Sequence, residues 1–217
     1  MANLFKHLVG AAIVLSVASG VAQASPSKFS FAATVTYTDG SLSGVSVGRQ
    51  FSGSFIYDPV TTPSYANSTM AYYQFGAPSK IVANVAGHQV ASTSLGIRVV
   101  NNFGGNVEDG IDISGGYPLS VDGTPLPNGS FGFVLHSKPG NTGVLTSTDL
   151  PLSYDVGAFD AHSSLNYGWL QRNGGQTGTI LQFSVSSIAA SVPEPGTYAM
   201  MLAGLSLFGG IFRRRSN

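Results

Sequence analysis

No cysteine occurs in the 217 residues. Disulfide stapling, a thiol nucleophile, a lipidated N-terminal cysteine and thiolate metal sites are therefore excluded together. Charge is scarce too, with Asp, Glu, Lys and Arg making up 9% of the chain. No basic stripe of the kind that phosphate binding requires is present, which argues against nucleic acid as a partner. Tryptophan occurs once, at Trp169. No window carries a convincing helical period. A domain with neither staples nor helices has to be held by a packed β core.

The mean hydropathy of +0.19 is inflated by two apolar ends. At the N-terminus, Lys6 and His7 precede an apolar run from Leu8 to Val17 and a small-x-small site at Ala22-Gln23-Ala24. This is the grammar of a secretory signal peptide over 1–24, cleaved after Ala24 to leave Ser25 as the mature start. The body, 25–191, carries six basic residues (Lys28, Arg49, Lys80, Arg98, Lys138, Arg172) against nine acids, a net −3. The formal neutrality of the whole chain thus comes from its terminal basic residues.

The last stretch, 192–217, has three parts. Pro193-Glu194-Pro195 forbids helix and holds the backbone extended, a form suited to a protease active site. Tyr198 to Phe212 is uncharged and mostly apolar. As a helix it rises only about 22 Å against a hydrocarbon core of about 30 Å, a gap that snorkelling arginines and local thinning can close. Arg213, Arg214 and Arg215 then place the C-terminus in the cytoplasm and the body outside. In order and composition this end resembles the PEP-CTERM sorting signal of Gram-negative bacteria. The resemblance implies processing by exosortase, an integral-membrane cysteine transpeptidase, transient anchoring in the inner membrane after export by the secretion machinery, and a surface or secreted destination in bacteria that make exopolysaccharide and biofilm. The body resembles carriers of that signal more loosely, through an F-x-G-x-F-x-Y-D stretch at Phe51 to Asp58 and a late L-P at Leu150-Pro151. That similarity implies no activity.

The body alternates with period two, the mark of half-buried strands. Phe29, Phe31, Ala33, Val35 and Tyr37 share one face before an Asp39-Gly40 turn, and Val45, Val47, Phe51, Phe55 and Tyr57 continue the pattern to Asp58-Pro59. Further short strands are predicted at 71–75, 80–85, 96–100, 110–114 and 130–137, and a long last one runs through Leu181, Phe183 and Val185. Gly-Gly pairs at 104–105, 115–116 and 174–175 mark loops or bulges, and 141–178 is the least regular part. These elements predict an all-β, antiparallel sandwich or jelly roll in a single domain.

Chemistry is sparse. Gly44-Val45-Ser46-Val47-Gly48 fits G-x-S-x-G, but a nucleophile elbow needs a following helix, and here alternating strand sequence follows. His88, placed after a hairpin tip, His136, ending a strand, and His162 have no metal-ligand spacing and read as solvated loop residues. Glu108, Asp109 and Asp112 cluster around Gly110. They form either an ordinary solvated turn, the favoured reading, or an oxygen-rich loop for calcium, the one cofactor with any candidate ligands. Trp169, beside Tyr167, either plugs the core, the favoured reading, or stacks on a sugar ring. No coherent set of carboxylates or triad members marks a hydrolase. The expected function is that of a non-enzymatic envelope or matrix protein, structural or adhesive in exopolysaccharide. The alternative is a carbohydrate-binding module on the same fold, with or without calcium.

Overall fold

The computed structural model describes residues 26–103, 108–159, 166–172 and 178–191. The expected signal peptide, including Ala22, Ala24 and Ser25, lies outside them, as do His162 and the tail from residue 192 onward. Among the described residues no helix is long and apolar enough to cross a membrane.

The described residues form thirteen strands: β1 (Ser27–Thr38), β2 (Gln50–Tyr57), β3 (Tyr65–Ala66), β4 (Met70–Phe75), β5 (Lys80–Val85), β6 (His88–Ser92), β7 (Leu95–Phe103), β8 (Glu108–Gly115), β9 (Leu119–Val121), β10 (Thr124–Pro125), β11 (Ser130–His136), β12 (Gly168–Gln171) and β13 (Thr179–Ala190). All pair antiparallel in one sheet ordered β10-β9-β6-β5-β2-β1-β13-β12-β11-β8-β7-β4-β3. The two-layer arrangement expected from the sequence is reached by one continuous sheet that curls until its halves face each other. Tyr57 of β2 lies 5.6 Å from Phe75 of β4, although six strands separate them in the sheet. The bend coincides with register shifts in the β1–β13 pair at Ala32/Ala33 and Val35/Tyr37, where extra residues increase twist. The second shift also turns Tyr37 outward, 46% exposed, rather than onto the face of Phe29 to Val35.

Five links, at 58–64, 76–79, 93–94, 116–118 and 126–129, carry the chain between the halves. The buried Ser92 hydroxyl lies 2.8 Å from the carbonyl oxygens of Ser94 and Gly116, in two of these links. Both edges are two-residue strands, and β10 ends on Pro125, so little of either is open to pairing with another chain. At the other end of β1 and β13, Phe29 pairs with Ala190 and the Ser191 amide donates to the Lys28 carbonyl at 2.7 Å.

The core between the halves is aromatic. Phe29 stacks on Phe55 at 5.2 Å, and Tyr154 meets Phe29 edge-on at 4.9 Å. Phe51, Phe55 and Tyr57 of the F-x-G-x-F-x-Y-D stretch point inward. Gly53 faces Phe31 across the strand pair, and a Cβ there would lie 2.2 Å from the Phe31 ring. The Tyr57 hydroxyl donates to the Pro151 carbonyl and touches the Tyr154 hydroxyl at 3.2 Å. The early aromatic stretch and the late L-P segment are therefore two halves of one contact. Burial pushes the Tyr57 phenol up to about 12.

Two expectations fail locally. Residues 44–48, predicted as strand, form a turn-rich loop in which Gly44 and Gly48 adopt positive φ (+73° and +85°), leaving Val47 exposed. Asp109-Gly110, predicted as a turn, lies inside β8.

Candidate functional site

The outer face of β4, β7, β8, β11 and β12 holds the candidate site. Strand alternation fixes which side chains reach it. Gly168 and Leu170 point into the core, with the Phe183 ring filling the space where a Gly168 Cβ would stand. Trp169 is consequently turned outward, which overturns the favoured core-plug reading. Its indole N–H donates to Ser130 Oγ at 3.0 Å, and Tyr167, 38% exposed, lies 5.6 Å from it, ring to ring.

Registers extend this position into a row across the sheet: Gln74, Gly96, Ser114, Gly132, Trp169. Three of its five members have small or absent side chains, so the row is a depression. Tyr72 leans over the far end, its hydroxyl 2.8 Å from where a Gly96 Cβ would stand. The result is a trench of about 470 Å³ between Tyr72 and Trp169, with Gln74, Ser94, Ser114 and Ser130 supplying polar atoms. Sequence reasoning found Trp169 and Tyr167 but missed Tyr72. Its only signal was parity, because Tyr72 alternates with the inward Ala71 and Tyr73 in β4.

One row further along the same face, Arg98 approaches Asp112 at 3.4 Å, and beyond that row His136 lies 3.7 Å from Glu108. Burial raises the Asp112 carboxyl, with Arg98 opposing, and lowers His136, with Glu108 opposing. His136 is thus half-buried rather than a solvated loop residue.

The three proposed calcium ligands do not converge. Glu108 and Asp112 face outward, whereas Asp109 faces the core, fully buried. The Asp109 carboxylate accepts the backbone N–H groups of Asn102, Val144 and Leu145 at 2.9, 3.0 and 2.9 Å. The solvated-turn reading fails with it, since this carboxylate fastens the loop after β11. Among the described residues no group of three or more His, Cys, Asp or Glu is placed to hold a metal.

Elsewhere, His88 joins the β5–β6 and β9–β10 turns to the β1–β2 loop. Its Nδ1 is 2.7 Å from Asp122 Oδ2, and its Nε2 is 3.3 Å from Ser43 Oγ. This resembles a Ser-His-Asp relay, but Nε2 also lies 3.0 Å from the Ser43 carbonyl oxygen. A nitrogen facing a carbonyl at that distance carries a proton, so it is not a free base for the serine. The hydrogen bonds to Asp122 and then to the Ser43 carbonyl raise His88, and the His88 and Gln89 N–H contacts lower Asp122. His88 acts as a charged clasp.

β13 ends at Ala190, and the chain leaves the described domain through Ser191. Residues 191–216 match the family model described as the PEP-CTERM protein-sorting motif. The chain carries this sorting signal. The PEP-CTERM motif implies export, a membrane-anchored C-terminal signal before processing, and exosortase as the processing partner. Pro193, Glu194, Pro195 and Arg213 to Arg215 fall inside the matched segment. No curated protein and no solved structure matches the chain.

Proposed function

We propose that this chain is a non-enzymatic protein of the cell envelope or extracellular matrix, released by exosortase, whose β domain adheres to exopolysaccharide through the Trp169 trench. The sorting motif supports the extracellular setting. The observation that carries the adhesive part is the outward placement of the sole tryptophan, anchored by Ser130 beside a depression of small residues. A fixed indole face with polar neighbours suits the CH-rich face and hydroxyl rim of a sugar ring. A calcium-dependent version has less support, because the candidate carboxylates point apart.

The test is co-sedimentation with exopolysaccharide from the native host. Trp169→Ala should abolish it while leaving the melting temperature nearly unchanged, because the indole is outside the core. Retained co-sedimentation would refute the role of the trench.

A further inference from the structure

The trench has a composition that narrows its ligand. Its lining holds no Lys, Arg, Asp, Glu or His. Arg98 and Asp112, in the row of Tyr72 and one row from Trp169, do not line the trench and are paired with each other. The body around it is net −3, so a polyuronate would approach against like charge and find no cation inside to offset desolvation. What the lining offers is an aromatic platform at each end, with hydroxyls between them and one amide beside Tyr72. Gln74 and Trp169 stand four strands apart, about 19 Å at about 4.8 Å per spacing. The trench therefore runs across the strands and spans several sugar units.

We infer that the trench takes an internal stretch of an uncharged polysaccharide laid across β4, β7, β8, β11 and β12, with Trp169 and Tyr72 stacking on separate sugar rings. This rests on the carbohydrate reading of the site and adds the ligand class and the second platform. Ser114 and Ser130 face the sugar hydroxyls between the platforms, and Gln74 does so beside Tyr72 on β4. Gly96 is the positioning residue for Tyr72, since any side chain there displaces the phenol from the trench.

Because Trp169 is the only tryptophan, its emission reports occupancy directly. Detergent-solubilised full-length protein is titrated with hydroxyethyl cellulose, dextran and a soluble galactomannan as neutral probes, and with polygalacturonate and alginate as charged ones. Saturable change in Trp169 emission with at least one neutral polymer, insensitive to added salt and absent with both charged ones, is the expected result. Tyr72→Ala should weaken that binding about tenfold or more with an unchanged melting temperature. Binding of a charged polymer alone overturns the uncharged-ligand inference while leaving the carbohydrate reading in place. Tight binding by Tyr72→Ala overturns the two-platform geometry. No response to any of the five polymers, together with no co-sedimentation with host exopolysaccharide, overturns the carbohydrate reading itself.

Discussion

Asp109 shows how much one side chain can hold. A fully buried carboxylate with no ion-pair partner among the described residues is held here by three backbone amides that point at it. Asp109→Asn turns an NH2 group against at least one of those donors. The expected loss is about 3 kcal/mol or more, a fall of roughly 6–12 °C in melting temperature for a domain of this size, measurable by calorimetry. His88 makes a pH-dependent contribution. Its raised value means its stabilisation is complete below 6.5 and disappears as pH rises through the folded value. The lowered Asp122 contributes above 3.8 and is lost as pH falls through its folded value. The melting-temperature gap between the native chain and His88→Ala should therefore be widest between pH 3.8 and 6.5 and close at alkaline pH. A gap constant from pH 5 to 9 would contradict the clasp. Neither Asp109 nor His88 was legible in the sequence, because His88 and two of the three donors to Asp109 act across more than thirty positions.

At the scale of elements, period-two alternation was a dependable guide wherever one face is buried. It located β1, β2, β4, β5, β7, β8, β11 and β13. It failed where backbone chirality overrode it, at Gly44 and Gly48, and where a turn-like dipeptide, Asp109-Gly110, was absorbed into a strand because its carboxylate had buried partners. The short β3, β6, β9, β10 and β12 carry too few residues for a period to register. The Phe51 to Asp58 stretch is now explicable as packing. Its glycine exists to seat the Phe31 ring, so Gly53→Ala should destabilise by about 1–3 kcal/mol, read in urea as a lower midpoint with an unchanged m-value. A neutral effect would mean that Phe31 has room to move.

For the molecule as a whole, the sorting motif was the most legible feature, since its three parts are contiguous in sequence. The trench was the least, since five strands assemble it. Replacing both Pro193 and Pro195 by alanine removes the two residues that forbid helix at the expected hinge. Membrane fractionation of the native host should then show full-length protein retained in the inner membrane, and ordinary release would count against a processing role for the hinge. The sheet that curls into the body also brings Lys28 and Ser191 together at the far end of β13 from the trench. Nine residue steps along β13 separate Ser191 from Gln182, the partner of Trp169, at most about 30 Å at about 3.3 Å per step. The proposed binding face thus lies well away from Ser191, where the matched sorting signal begins. On the proposed carbohydrate reading, capture of surrounding polymer need not wait for release, and the moment of cleavage decides whether that polymer is handed over or stays tied to the cell.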